Sequence, residues 1–287
     1  MRFAGAQIPV TNNLENNTKT IINSINWAEE NKCDYLVTPE CSLSGYDVNG
    51  VNIDTSIKAL SKALDTIRKY ASDRHIGLIL GTLWVDEDPT TPAESWWSVG
   101  DVRNQQRYYD PEGNFLGVVN KRYIVSYDYG VKKGENPGVI NLPMKNNPTN
   151  HIKVTGMICN DLWGGYWKGR PNLGQVAQEQ KTDLIIHSSN GAKDKGEPIR
   201  KILDKFHTGC LAFLSYRSNI PILTVDNSIH LDGQDYDGET ASPSGVFHPL
   251  EQIVEAPRKG TQHFYYDFHP NTDYNVSVVP EELASWD

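Results

Sequence analysis

The 287-residue chain lacks the patterns that mark metal sites and nucleotide-driven enzymes. Its four cysteines are far apart and include no CxxC pair and no zinc-type spacing. The eight histidines show no HxxxH or other ligand spacing. No glycine-rich phosphate-binding loop is present, so no ATP-coupled step is visible in the sequence. We therefore expect neither a metal nor another cofactor.

The chain also lacks a basic surface and a long hydrophobic run. Its net charge is -9, and the absence of Lys/Arg clusters argues against a nucleic-acid partner. The longest apolar runs are far too short to span a membrane. The first residues lead directly into a strand-like stretch rather than into a signal peptide. We therefore expect a cytoplasmic protein with free thiols and no membrane partner.

Strand-like and helix-like patterns alternate along the sequence. Apolar runs predict strands, and apolar residues at helical spacing predict amphipathic helices. The predicted strands lie at 2–10, 35–37, 76–82, 152–158, 183–187 and 221–225, and the predicted helices lie at 12–32, 54–74 and 198–217. Residues 96–109 and 115–121 flank a turn signal, Asp110-Pro-Glu-Gly-Asn114, and predict a hairpin. We therefore expect an α/β fold whose mixed sheets are covered by helices.

Four further expectations concern the overall organisation. Residues 132–150 are rich in Gly, Pro and Asn, which predicts a surface loop, and residues 244–254 and 262–268 predict a terminal hairpin. We expect one domain spanning 1–287, in which the polar residues 270–287 form a C-terminal arm that is a candidate partner contact. In the helix at 198–217, the residues expected to face inward are Ile199, Ile202, Phe206, Cys210 and Phe213.

Three segments end a predicted strand at an ionisable residue. Glu40 follows the strand at 35–37, Lys121 ends the run that begins at Phe115, and Cys159 follows the strand at 152–158. A carboxylate, an ammonium and a thiol supply a base, an electrostatic stabiliser and a nucleophile. Cys159 also precedes a predicted helix start, and a helix N-terminus lowers the pKa of a thiol and can stabilise an oxyanion.

Each of these residues has a simpler interpretation when it is taken alone. Cys159 would be a small buried core residue, Glu40 a solvent-facing carboxylate, and Lys121 an ordinary surface lysine at a strand end. Their joint occurrence, together with the motifs described next, favours catalysis.

Four short motifs occur in the order and at about the spacing of a known family. They are Ala6-Gln7-Ile8-Pro9-Val10, Pro39-Glu40-Cys41-Ser42-Leu43-Ser44-Gly45-Tyr46, Asn120-Lys121-Arg122-Tyr123 and Gly156-Met157-Ile158-Cys159-Asn160-Asp161. Together they resemble the nitrilase superfamily of carbon–nitrogen hydrolases, and the resemblance covers nearly the whole chain.

The resemblance implies an α-β-β-α sandwich with two mixed sheets and the helices outside. It also implies that two copies pair into a four-layer sandwich, as a homodimer or a higher homo-oligomer. It implies a Glu-Lys-Cys triad in which Glu40 is the general base, Lys121 stabilises the tetrahedral intermediate and Cys159 is the nucleophile. The implied substrate is a small-molecule amide or carbamoyl compound.

The branch of the family is less well defined by the sequence. Cys159-Asn160-Asp161 resembles the Cys-x-Asp of amidases and carbamoylases rather than the Cys-Trp-Glu that is usual in nitrilases. We therefore expect hydrolysis of an amide or an N-carbamoyl amine. The alternatives are a nitrilase, an acyl transferase and a non-catalytic binding subunit.

The resemblance implies a second glutamate after the lysine, and this sequence departs from that pattern. Asp128 falls near one such position and Glu135 near another, although neither lies in a clear motif. Asp128 also fits a simple turn position and Glu135 a solvated loop position, so the sequence leaves open which of the two, if either, has this role.

Other residues near the triad are candidates for substrate binding. Tyr46 follows the base, Trp163 follows the nucleophile, and Asn190 follows the strand at 183–187. The backbone N–H of Asn160 is the expected second donor to the oxyanion. Asp161 is expected to have a structural role, because a second carboxylate beside a thiolate would oppose ionisation.

Overall fold

The structure is a computed structural model. It describes residues 1–46, 57–85, 102–125, 128, 131–135, 138–145, 147–164, 173–191, 197–228, 230–231, 234–235 and 240–269. The expected C-terminal arm at 270–287 lies outside these residues, as do 96–101 of the predicted hairpin.

The first of two six-stranded sheets contains the N-terminal strands and one strand from the end of the chain. Its strands are β1 (Arg2–Gln7), β2 (Tyr35–Val37), β3 (Gly77–Val85), β4 (Val102–Tyr109), β5 (Phe115–Asn120) and β14 (Gln262–Asp267). Their order is β14-β1-β2-β3-β4-β5. The sheet is mixed, since β1, β2 and β3 are parallel and the other neighbours are antiparallel.

The second sheet has the same arrangement, with parallel strands at its centre. Its strands are β6 (Gly138–Met144), β7 (Asn147–Ile158), β8 (Leu184–Ser188), β9 (Ile222–Val225), β12 (Gly245–Phe247) and β13 (Gln252–Glu255). Their order is β13-β12-β9-β8-β7-β6. The short strands β10 (His230–Leu231) and β11 (Gln234–Asp235) form a separate antiparallel ribbon.

Four α-helices and one 3-10 helix complete the described elements. They are α1 (Leu14–Glu30), α2 (Ile57–Ser72), α3 (Leu173–Glu179), α4 (Glu197–Ser218) and the 3-10 helix Cys159–Asp161. The side chain of Asn13 caps α1 by accepting a hydrogen bond from the backbone N–H of Asn16. No helix among the described residues is long and apolar enough to cross a membrane.

Three hydrophobic clusters show how these layers stack. Successive side chains of a strand point to opposite faces of its sheet, and β2 illustrates this. Leu36 packs in a cluster with Ile25 of α1 and Leu64 of α2, whereas Tyr35 and Val37 pack in a second cluster that contains strands of both sheets. A third cluster joins the other face of the second sheet to α3 and α4. The predicted α-β-β-α sandwich is therefore confirmed.

The predicted loop at 132–150 is wrong, because it contains strand β6. This strand pairs antiparallel with β7, and Leu142 is fully buried between the sheets. Its apolar run is short and is flanked by Gly, Pro and Asn. These residues are typical of loops, so the local sequence favoured a loop over a strand. Pro143 is tolerated because β6 lies at the edge of its sheet.

The predicted terminal hairpin is also wrong. Residues 245–255 form their own hairpin, β12–β13, in the second sheet. Strand β14 instead pairs antiparallel with β1 in the first sheet, with Arg2 opposite Asp267. Their side chains form an ion pair at 2.8 Å. Proximity in the sequence favoured pairing of β14 with the preceding hairpin. In the structure β14 instead occupies the edge of the first sheet beside β1.

The predicted buried face of α4 is wrong in part. Ile199, Ile202 and Phe213 are 46%, 66% and 52% exposed, whereas Leu211 and Leu214 are buried in the third cluster. The helix carries two apolar stripes, and periodicity does not show which of them faces the sheet.

Candidate active site

Three ionisable side chains meet at one end of the first sheet. Lys121 follows β5, and its Nζ lies 2.8 Å from Oε1 of Glu40 and 3.0 Å from Oδ2 of Asp128. The residues are 0%, 1% and 4% exposed. Buried charges are rarely tolerated unless they are paired, so this arrangement is not that of a surface lysine at a strand end. The structure thus brings Asp128 to the predicted base and stabiliser.

Asn104 on β4 connects the two strand ends and was missed in the sequence. Its Nδ2 donates a hydrogen bond to Oε1 of Glu40 at 2.7 Å, and its carbonyl accepts one from the backbone N–H of Lys121 at 2.9 Å. The available signal was the run Asn104-Gln105-Gln106 within a strand, since three buried amides in succession need specific partners.

The two oxygens of Glu40 have different surroundings. Oε1 accepts hydrogen bonds from Asn104 and Lys121. Oε2 is buried and has no hydrogen-bond partner among the residues that the structure describes. Burial raises the pKa of Glu40 above its ordinary value, although the Lys121 ammonium opposes this change. One oxygen is therefore held in place while the other is available to accept a proton.

The ammonium of Lys121 is kept charged by its acidic neighbours. Burial alone would lower the pKa of Lys121, but the carboxylate of Glu40 and the other nearby acidic groups raise it well above its ordinary value. Lys121 therefore remains a cation at neutral pH and cannot act as a base.

Cys159 lies at a strained corner between β7 and the 3-10 helix. Its φ is 48°, in the left-handed region of backbone conformation that residues other than glycine rarely adopt. Burial raises the pKa of its thiol, the charge of Glu40 raises it further, and Lys121 lowers it. The expected lowering by a helix N-terminus is not found, since the helix has only three residues and burial dominates. The resting thiol is protonated and needs a base.

Asp161 links the nucleophile corner to the segment that contains the lysine. One carboxylate oxygen accepts hydrogen bonds from the backbone N–H groups of Arg122 and Tyr123, both at 2.8 Å. The other accepts one from the N–H of Ile158 at 3.0 Å. The predicted structural interpretation of Asp161 agrees with these contacts.

Asn160 and Asn190 hold neighbouring backbone segments. The side chain of Asn160 donates to the carbonyl of Tyr123 at 3.0 Å, and its backbone N–H lies in the first turn of the 3-10 helix, where intrahelical acceptors are lacking. The side chain of Asn190 donates to the carbonyl of Glu40 at 3.2 Å. Asn190 therefore joins the end of β8 in the second sheet to the predicted base in the first.

Tyr46 and Trp163 have different environments. The phenol of Tyr46 donates to Oδ1 of Asp128 at 2.6 Å, and its ring centroid is 5.8 Å from Nζ of Lys121. Trp163 is buried in the third hydrophobic cluster and stacks on His207 with centroids 4.6 Å apart. Tyr46 is thus part of the charged cluster, whereas the contacts of Trp163 are packing contacts.

Glu135 does not join the charged cluster. Its side chain is exposed on the segment after Lys121, whereas Asp128 is buried against that lysine. Of the two acidic candidates, the structure places only Asp128 in the cluster. Among the described residues, no group of three or more His, Cys, Asp and Glu side chains could hold a metal ion.

The fold is shared with solved amidases of low sequence identity. The NitN amidase from Neterenkonia sp. AN1 has a TM-score of 0.72 and 19% identity, and the match covers 100% of both chains. A variant of the Nesterenkonia sp. AN1 amidase, carrying the acetamide moiety of fluoroacetamide at its active site cysteine, has a TM-score of 0.72 and 18% identity. That match covers 99% of this chain and 95% of the other. A further variant, in complex with butyramide, matches with the same score and identity over 100% and 97% of the two chains.

Sequence comparison gives a relative and a family. The glutamine-dependent NAD(+) synthetase of Thermotoga maritima is 26% identical over 166 residues. The match covers 57% of this chain and 26% of that protein, so this chain spans about a quarter of the length of the curated relative that it matches. The carbon–nitrogen hydrolase family model matches residues 2–198, which is more than half of the chain. The chain therefore belongs to the carbon–nitrogen hydrolase family.

Proposed function

We propose that this chain hydrolyses a linear, non-peptide C–N bond of a small amide or N-carbamoyl amine through a thioester on Cys159. The observation that carries the proposal is the solvent-excluded contact of Lys121 with Glu40 and Asp128, whose charges act on the thiol of Cys159 in its strained corner. Such a cluster is costly to bury, and perturbed ionisable groups concentrate at catalytic sites.

The first half of the reaction forms the thioester. Oε2 of Glu40 accepts the thiol proton of Cys159 as the sulfur bonds to the substrate carbonyl carbon. The carbonyl π electrons move to the oxygen, where the Lys121 ammonium and the backbone N–H of Asn160 stabilise the negative charge. Glu40 then donates the proton to the departing nitrogen as the C–N bond breaks and the carbonyl reforms.

The second half releases the acid. Glu40 takes a proton from a water molecule, and the oxygen of that water attacks the carbonyl carbon of the thioester. The same two donors hold the second oxyanion. The C–S bond then breaks, and Glu40 returns the proton to the sulfur of Cys159. No cofactor enters this sequence, and each proton that Glu40 accepts it later gives back.

Asp128 acts in this proposal as the additional carboxylate of the site. It contacts the lysine and accepts hydrogen bonds from Tyr46 and from the backbone N–H of Val125, so three groups fix its orientation. Its charge keeps the ammonium of Lys121 protonated and directed into the site. Tyr46 and Asn190 are proposed to border the substrate, because both contact members of the cluster. Glu135 has no part in this proposal.

We further propose that two copies pair through α4. Ile199, Ile202, Phe213 and Tyr216 form an exposed apolar stripe on this helix, which water solvates poorly. Light scattering should report a dimer, and Ile202→Glu should shift it to monomer. Leu250→Glu is the matched control, since Leu250 is similarly exposed elsewhere.

All four cysteines are free thiols, which suits the cytoplasm that we propose as the location.

The central experiment is a search for an acyl adduct by intact-protein mass spectrometry. The library contains glutamine, butyramide, an N-carbamoyl amine and the nitrile that corresponds to butyramide, and ammonia release is measured in parallel. Glutamine is included because the synthetase relative is glutamine-dependent, and butyramide because a variant of the solved amidase is in complex with it. We expect an adduct with an amide or carbamoyl compound, and faster ammonia release from the amide than from the nitrile.

Two cysteine variants test where the adduct forms. Cys159 and Cys210 are both partly exposed, so they form a matched pair. Cys159→Ala should abolish the adduct and Cys210→Ala should retain it. An adduct on Cys210 as well, or turnover that survives Cys159→Ala, would exclude this mechanism. Preferential transfer of the acyl group to added hydroxylamine rather than to water would indicate the transferase alternative.

A further inference from the structure

His187 contacts the peptide group that follows the nucleophile. It is fully buried at the end of β8. Its Nε2 lies 3.1 Å from the carbonyl oxygen of Cys159, and its Nδ1 lies 2.8 Å from Oγ1 of Thr224. Thr224 is the residue opposite His187 on the neighbouring strand β9. The imidazole therefore bridges a core strand and the strained corner.

The partners of the ring define its tautomer. A carbonyl oxygen only accepts hydrogen bonds, so Nε2 must carry a proton. Burial, helped by the nearby His207 and Lys121 and opposed by the hydrogen bond to the Cys159 carbonyl, lowers the pKa of His187 to about 4, so the ring is neutral at neutral pH. Nδ1 is then an acceptor, and the hydroxyl of Thr224 donates to it.

The carbonyl oxygen of Cys159 faces Nε2 of His187 and also accepts a hydrogen bond from the backbone N–H of Leu162 at 3.2 Å. This carbonyl belongs to the same peptide unit as the N–H of Asn160. In a planar trans peptide, the C=O and N–H bonds point in opposite directions. Fixing the carbonyl of Cys159 on His187 therefore fixes the direction of the Asn160 N–H. A hydrogen bond to the carbonyl also polarises the peptide and makes its N–H a stronger donor.

We propose that His187, with its tautomer set by Thr224, is a positioning residue that aims the backbone N–H of Asn160 at the developing oxyanion. This inference rests on the proposed function, because the oxyanion arises only in an acyl-transfer reaction. His187 does not touch the reacting atoms in this account. It acts through one peptide group, which follows the strained cysteine corner with its φ of 48°.

The test uses Thr224→Val, which keeps the shape of the side chain and removes the donor to Nδ1. We measure kcat and KM with an amide that the wild-type protein hydrolyses, and the rate at which iodoacetamide alkylates Cys159. Alkylation requires the thiolate but forms no oxyanion. Thr224→Val should lower kcat by about 10- to 100-fold, somewhat less than loss of a whole oxyanion donor, while KM and the alkylation rate change less than about twofold.

Conservative variants separate this role from simple packing. Thr224→Ser restores the hydroxyl and should recover most of the kcat lost in Thr224→Val. His187→Gln offers an amide N–H to the Cys159 carbonyl and should exceed His187→Leu in kcat. If His187→Leu does not fold, the Thr224 pair still decides the question.

Each remaining outcome is informative. Equal losses in turnover and alkylation in Thr224→Val would place the effect on the thiol or on the fold and overturn the inference. An unchanged kcat in Thr224→Val would also overturn it. A wild-type protein that hydrolyses no compound in the library overturns the proposed function itself, together with this inference, and is recognised before any variant is made.

Discussion

The ammonium of Lys121 lies 2.8 Å from Oε1 of Glu40, and both side chains are excluded from solvent. A second carboxylate, that of Asp128, lies 3.0 Å from the same ammonium. One cation thus separates two buried anions. This arrangement makes the lysine important for both stability and chemistry, and the two effects can be measured separately.

Replacing Lys121 with Met should reduce both the stability and the turnover of the protein. The two carboxylates would lose their shared counter-charge, and breaking a buried ion pair costs about 3–5 kcal/mol of unfolding free energy. Loss of an oxyanion donor should lower kcat by about 100-fold or more, with a smaller change in KM. Denaturant unfolding and steady-state kinetics measure the two effects.

Lys19→Met is the control for this substitution. Lys19 is exposed and pairs with Glu15 within α1, so its loss should change the unfolding free energy by less than about 0.5 kcal/mol. Equal stability losses in the two variants would contradict the importance assigned to the buried cluster.

Glu40→Gln should remove the base while it preserves the shape of the site. The glutamine oxygen can still accept from Asn104 and Lys121, but an amide nitrogen in place of Oε2 cannot accept the thiol proton. We expect turnover to fall by about 100- to 10,000-fold and alkylation of Cys159 at neutral pH to slow. Near-normal alkylation and turnover in this variant would assign the base to another residue. Glu15→Gln, on the surface, serves as the control.

Asp128→Asn and Glu135→Gln together identify the additional carboxylate. Asp128 contacts Lys121 and Tyr46, whereas Glu135 is exposed. Asp128→Asn should lower kcat by about 10-fold or more, because the ammonium loses a charged hydrogen-bond partner worth about 1.5–3 kcal/mol. Glu135→Gln should leave kcat within about twofold. The reverse result would show that Glu135 moves into the site when substrate binds.

The buried His187 should make the protein less stable as the pH falls. Its pKa is lowered to about 4 by burial, from an ordinary value of 6.5. Between these values the unfolded chain binds the proton and the folded chain does not, so the stability present above pH 6.5 is lost as the pH falls towards 4. The contribution is about 3 kcal/mol at most.

The difference between wild-type protein and His187→Gln isolates this term from the other histidines. Unfolding free energies measured from pH 7.5 to pH 4 should fall less steeply in the variant. Parallel curves would mean that burial does not lower the pKa of His187 in the folded protein.

Local sequence patterns were sufficient to predict most elements of the fold. The helix at Leu14–Glu30 and the strand at Tyr35–Val37 follow from apolar spacing and turn residues, which depend on near neighbours in the chain. Strand partners over long separations were not predictable in this way. Strand β14 pairs with β1 rather than with the preceding hairpin, because the pairing is decided by which sheet edge is open in the assembled fold.

The sequence alone determined the residue types of the candidate site, since Glu40, Lys121 and Cys159 lie in motifs whose order is visible in the chain. Only the tertiary structure showed that Asp128, rather than Glu135, contacts Lys121. It also revealed the contact of Asn104 with Glu40 and that of His187 with the carbonyl of Cys159. The physical reason is that charges and hydrogen bonds depend on the distance between groups in space, not on their separation along the chain. The burial that shifts a pKa and the partner that fixes a tautomer come from strands that are far apart in sequence.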